Sequence, residues 1–131
     1  MGNIVWIASY PKSGNTWIWA FLENYLQNKS TPVDLNELHK RSISESVADL
    51  YQKHVAANTS LSDLDHAEIC RLRTYVHSDI ARASQGTAFV KTHNFLGQYK
   101  GIPIHNASVT SGAIYVVRNP LDVCVSMSNY F

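Results

Sequence analysis

One junction near the N-terminal end constrains the fold more than any other part of the chain. A short apolar run at residues 4–8, rich in β-branched and aromatic side chains, breaks into Ser9-Tyr-Pro-Lys-Ser-Gly-Asn-Thr-Trp17. A continuous apolar run of that length, bounded by turn residues, reads as a buried strand that Pro11 ends. From residue 15 to residue 28 the apolar residues Trp17, Ile18, Trp19, Ala20, Phe21, Leu22, Tyr25 and Leu26 cover most of a helical surface. That predicts a largely buried helix, stopped by Lys29-Ser-Thr-Pro32. A buried strand feeding directly into a buried helix is the opening of a parallel α/β sheet.

The remainder of the chain fits that architecture. Asp34 with Glu37 forms a capping-box pattern for a short helix, and Ile43, Val47, Leu50, Tyr51 and Val55 keep helical spacing. Ser62 with Asp65 opens a longer helix whose stripe Ile69, Leu72, Val76, Ile80 and Ala83 runs to a C-terminal cap at Gly86. Residues 87–92 and 113–118 read as a second and third strand, both too continuously apolar to face water on one side. Ile102-Pro-Ile104 adds at best a short extended piece. Asn119 is a good N-cap and Pro120 suits the first helical position, so a last helix starts there. It runs on through Leu121, Val123, Cys124, Val125, Met127, Tyr130 and Phe131 without a cap, and the expectation is a single domain, 1–131, cut after the third recognisable strand and its helix.

Composition excludes several function classes. The 131 residues carry eleven Lys plus Arg against ten Asp plus Glu, a formal net charge of +1. This supplies no general attraction to nucleic acid or to an anionic membrane, so any anion must be captured locally. Cys70 and Cys124 stand far apart with no metal-ligand spacing, and the six histidines show no i,i+4 metal pair. No stretch approaches the ~18 continuous apolar residues of a membrane span. The expectation is a cytoplasmic protein in a reducing compartment, with the sequons at Asn28, Asn58 and Asn106 unused.

The chemistry concentrates at strand ends. At the first, Pro11 rigidifies the turn, Lys12 supplies a cation, and Gly14 lets backbone N–H groups approach an anion closely. Ser13, Asn15 and Thr16 add side-chain donors at the positive end of the helix dipole. The Lys-before-Gly order differs from the Walker A loop, where lysine follows glycine and a hydroxyl holds magnesium. With no recognisable Walker B carboxylate either, a P-loop kinase is disfavoured. Val90-Lys-Thr-His93 ends the second strand, and Tyr115-Val-Val-Arg-Asn-Pro-Leu-Asp-Val-Cys-Val-Ser126 spans the end of the third and its helix. All three groups lie at carboxyl ends of strands, where open α/β sheets bind ligands.

Loop, Lys-Thr-His and Arg-Asn-Pro-x-Asp-x-x-x-Ser, in that order, resemble the PAPS-dependent sulfotransferase family, in particular its bacterial and membrane-bound members. The resemblance implies a P-loop-like parallel sheet flanked by helices. It also implies transfer of a sulfuryl group from 3′-phosphoadenosine 5′-phosphosulfate (PAPS) to an alcohol, phenol or amine, leaving 3′-phosphoadenosine 5′-phosphate (PAP). By resemblance the loop binds the 5′-phosphosulfate, Lys12 bridges to the sulfuryl group and Trp17 lies near the adenine. His93 then matches the general base, Lys91 lies beside the reacting centre, and Arg118 with Ser126 match the pair that holds the 3′-phosphate. Asn15 stands where the family commonly has threonine, and the family's closing Arg-Lys-Gly loop would lie past Phe131.

The residue types suit that reaction. An imidazole, with an unperturbed pKa of about 6.5, is the side chain suited to remove a hydroxyl proton near neutral pH. Sulfuryl transfer, like phosphoryl transfer, asks for alignment and for stabilisation of charge on the leaving phosphate, which Lys12 and loop amides can give without a metal. Two readings stand at this level: a sulfotransferase with a small-molecule acceptor and no nucleic-acid or membrane partner, or a catalytically inactive nucleotide-binding fragment or scaffold. Exposed apolar surface would favour a homodimer.

Overall fold

The computed structural model describes residues 3–28, 30–34, 36, 38 and 43–129. The apolar run at the start forms β1, Asn3–Ser9, and the segment after the loop forms α1, Asn15–Gln27. Next come β2 (Ile43–Ser44), the short α2 (Ala48–Gln52) and the long α3 (His66–Ala83). The chain continues through β3 (Thr87–Thr92), a small hairpin of β4 (Gln98–Tyr99) and β5 (Ile102–Pro103), β6 (Thr110–Val116) and α4 (Pro120–Ser128).

Strands β2, β3, β1 and β6 form one parallel sheet in that order. Register decides where the chemistry falls. Ala8 pairs with Thr92 on one side and with Tyr115 on the other, and Ser9 pairs with Val116. The carboxyl ends of β1, β3 and β6 therefore finish level, and the segments that follow them meet at one edge of the sheet.

Alternation along the strands sorts the core into two layers. Ile4, Trp6, Ala88 and Val90 pack with Val76, Ile80 and Ala81 of α3. Ile7 packs on the other face with Trp19 and Ala20 of α1, joined by partly buried Phe89 and Val116. β1 is an interior strand covered on both faces, as its uninterrupted apolar run requires.

The structure corrects several local expectations. Ile43 lies in β2, paired with Val90, so the helical spacing of residues 43–55 joins a short strand to a short helix. A two-residue strand is fixed by its partner β3, which no local period can report. The long helix is capped by Asp65 with Glu68 in a full capping box, three residues later than the Ser62 signal, while Ser60 caps a preceding 3-10 turn at Leu61–Asp63. It ends at Ser84, before Gly86. β6 is an edge strand with Ser111, Ala113 and Tyr115 exposed, so its apolar run does not signal burial on both faces, and the sheet has four strands where three were recognisable.

The helix expected to be largely buried is half so. Within α1 only Asn15, Trp19 and Ala20 are buried, whereas Trp17, Phe21 and Tyr25 are 76%, 64% and 71% exposed. Glu37 of the first capping pattern, and Tyr130 and Phe131, lie outside the described residues. α4 begins as expected, with the Asn119 side chain accepting from the Leu121 N–H and Pro120 in first position, and it ends at Asn129.

Candidate active site

The loop between β1 and α1 is shaped by two left-handed residues, Lys12 at φ 64° and Gly14 at φ 108°. Ser13 N–H closes a turn on Tyr10 O at 3.2 Å, and the Trp17 and Ile18 N–H groups both donate to Gly14 O. Lysine rarely adopts that conformation, which must be held by its surroundings. Arg118 does part of this, donating from Nη1 to Lys12 O at 3.1 Å. Among the described residues no side chain caps the N-terminus of α1, and its positive dipole end faces the loop.

These elements enclose a groove of about 500 Å³ lined by Pro11, Lys12, Gly14, Asn15, Thr16, Trp17, His93, Arg118 and Ser126. Among the described residues, two cations and no carboxylate line it. A chain of nearly balanced charge thus has a locally positive, anion-accepting concavity at its sheet edge. An adjoining polar recess of about 120 Å³ adds Lys91, Ser44, Ser46 and Thr92. Burial alone lowers the Lys91 pKa below the ordinary lysine value, because a desolvated ammonium is less stable than a hydrated one.

His93 is exposed toward the groove, and its ring is oriented from behind. Its Nδ1 lies 2.9 Å from Ser9 O, a carbonyl that can only accept, so Nδ1 carries the proton and Nε2 is left as the acceptor. That is the tautomer a proton-accepting imidazole needs.

The structure brings together Lys12, Gly14, Thr16, Trp17, His93, Arg118 and Ser126, with Lys91 in the adjoining recess. The other two predicted residues differ: Asn15 also lines the groove but turns its donors elsewhere, and Ser13 is not part of the groove lining. Ser13 is buried and lines the opposite side of the loop, with Val116 and Val123. Asn15 is buried as well, and its side-chain amide donates to Ile7 O at 2.8 Å and Ser9 Oγ at 3.2 Å, with Thr92 O at 3.5 Å. Its donors are spent on the ends of β1 and β3, where they join the two strands beneath the loop.

A buried polar layer behind β3 is absent from the sequence reading. Glu45, 1% exposed, meets Thr92, Asn94 and His77, and His105 lies 3.5 Å from the Thr92 hydroxyl. The Trp6 ring stands edge-on to both His77 and His105, 4.7 Å from each, and the two imidazoles stack 6.0 Å apart. Burial lowers the His105 pKa from its ordinary value. No motif marks these residues, since Glu45 sits in a polar stretch like any solvent-facing acid.

A comparison with family profiles matches the sulfotransferase domain over residues 3–131. The chain belongs to the sulfotransferase domain family. The four-stranded parallel sheet flanked by helices agrees with that fold, and sulfuryl transfer is the family's reaction. No curated protein matches the chain. Among the described residues of this sulfotransferase domain, no group of three or more His, Cys, Asp or Glu could hold a metal ion, and no helix is long and apolar enough to cross a membrane.

Proposed function

We propose that this sulfotransferase domain binds PAPS in the groove and transfers its sulfuryl group to a hydroxyl or amine acceptor. The observation that carries the reading is the groove itself, where an uncapped helix N-terminus, Lys12, Arg118 and the acceptor nitrogen of His93 converge at the level ends of three parallel strands. The fit to an anionic nucleotide is physical. Gly14 and Lys12 give the loop its left-handed turns at the N-terminus of α1, where an anion is favoured, and among the described residues no lining carboxylate opposes one. Trp17, 76% exposed at the rim, offers a flat apolar surface for a base to stack on.

When bound, the nucleotide supplies an activated sulfuryl group on a phosphate leaving group. The chain's own residues do the remaining work. Lys12 and the first amides of α1 stabilise negative charge on that phosphate, a preorganised electrostatic role. His93 Nε2 accepts the acceptor's proton while Ser9 O stabilises the imidazolium through Nδ1. Lys91 stands beside the same centre in the adjoining recess, and Arg118 with Ser126 hold the 3′-phosphate.

Calorimetric titration of the 131-residue chain with PAP tests the site before the reaction. Saturable binding is expected, weakened by both Lys12→Ala and Arg118→Ala. A charge-assisted contact is worth about 1.5–3 kcal/mol, so each substitution should weaken binding roughly 10- to 150-fold. Absence of binding by the parent chain would overturn the reading.

A further inference from the structure

His93 sits at the centre of a turn that one buried carboxylate holds at both ends. The Thr92 hydroxyl accepts the Asn94 backbone N–H at 3.0 Å, closing the turn around His93. The same hydroxyl donates to Glu45 Oε1, and the Asn94 side-chain amide donates to that oxygen too. Glu45 Oε2 receives His77 Nε2 at 3.1 Å. His77 Nδ1 accepts the Asn106 backbone N–H at 3.2 Å, which fixes Nε2 as the protonated, donating nitrogen. Glu45 is itself anchored, its N–H donating to Lys91 O at 3.4 Å.

Stability alone would not select a carboxylate for this position. Taking an ionised carboxylate out of water costs several kcal/mol, and well-packed apolar side chains of the same volume often serve a core as well or better. What the carboxylate gives is geometry: the residues before and after His93 are tied to one oxygen, and His93 is then fixed on its far side by Ser9 O at 2.9 Å. Catalytic imidazoles tolerate little displacement, since a misplacement of about 1 Å can cost about 10²-fold in rate.

We propose that Glu45 is a positioning residue that acts through Thr92 and Asn94 to hold the His93 ring with Nε2 toward the groove. The role rests on the reading of His93 as the base, but the ring's state can be measured without turnover. The test is the imidazole ¹⁵N spectrum of His93 in the full chain, compared among the parent, Glu45→Gln, Thr92→Val and Thr92→Ser, with PAP calorimetry run beside each. Thr92→Val keeps the side-chain shape and removes the hydroxyl, and so carries the test should Glu45→Gln fail to fold.

Expected are a single Nδ1–H tautomer in the parent and in Thr92→Ser, a mixture of tautomers in Thr92→Val and Glu45→Gln, and unchanged PAP affinity throughout. A single Nδ1–H tautomer persisting in folded Thr92→Val would overturn the proposal. Failure of the parent to bind PAP would instead sink the nucleotide reading while leaving the control of His93 measurable.

Discussion

Asn15 is the residue whose role the structure changes most, and its removal gives a sharp prediction. The side-chain amide donates to Ile7 O at 2.8 Å and to Ser9 Oγ at 3.2 Å, with a longer approach to Thr92 O at 3.5 Å, all in a buried setting. In Asn15→Ala two good hydrogen bonds disappear at about 1 kcal/mol net each, and the acceptors left behind cost up to about 2 kcal/mol more, for roughly 2–4 kcal/mol in total. With an unfolding entropy of about 2.1 cal/mol/K per residue, the 131-residue chain should lose roughly 7–15 °C in Tm. Differential scanning calorimetry reads this directly. Asn15→Asp should be worse than alanine, because a carboxylate would face the same carbonyls, while Asn15→Thr restores one donor and should fall between alanine and the parent. An alanine variant melting within about 1 °C of the parent would refute the clamp, since surface substitutions away from such features stay within about 0.5 kcal/mol.

Further outcomes follow from the same geometry. Burial by itself raises the Glu45 pKa, but the hydrogen bonds from His77, Thr92 and Asn94 outweigh it and hold the carboxyl at about 2, against an ordinary 4.5. A depressed carboxyl contributes stability that is full above pH 4.5 and is lost as pH falls toward 2, about 3 kcal/mol in all at 1.36 kcal/mol per unit. The Tm of the parent should therefore fall more steeply than that of Glu45→Gln below pH 4.5, and parallel curves would contradict this. Trp17 is the exposed tryptophan at the groove, whereas Trp6 and Trp19 are buried, so PAP should change the fluorescence of the parent and leave that of Trp17→Phe unchanged. An equal change in both would move the base away from Trp17.

The parts legible in the sequence are those set by local patterning. β1, β3 and the start of α4 follow from continuous apolar runs and from Asn119-Pro120, and the convergence of three groups follows from their common position at strand ends. What was not legible depends on partners distant in sequence. β2 exists because β3 lies beside it, and Glu45 is buried because His77, Thr92 and Asn94 close around it from 32 to 49 positions away. The orientation of Asn15 is another such case. As a polar residue at a helix N-terminus it reads as a ligand donor, and only the closeness of the β1 and β3 ends turns its amide inward. The exposed faces of β6 and α1 show the same limit, since an apolar run reports what a segment could bury and not what covers it.

The central claim is that one anion-accepting groove, built at the level ends of β1, β3 and β6, is where the nucleotide binds. Amide and side-chain NMR of the isotopically labelled chain, recorded as PAP is added, tests it most directly. The account predicts saturable shifts confined to residues 11–17, His93, Arg118 and Ser126, with Lys91 responding at the adjoining recess. Shifts centred elsewhere, such as the apolar pocket formed by Trp6, Leu96 and Ala113, would contradict it, as would a spectrum that PAP leaves unchanged.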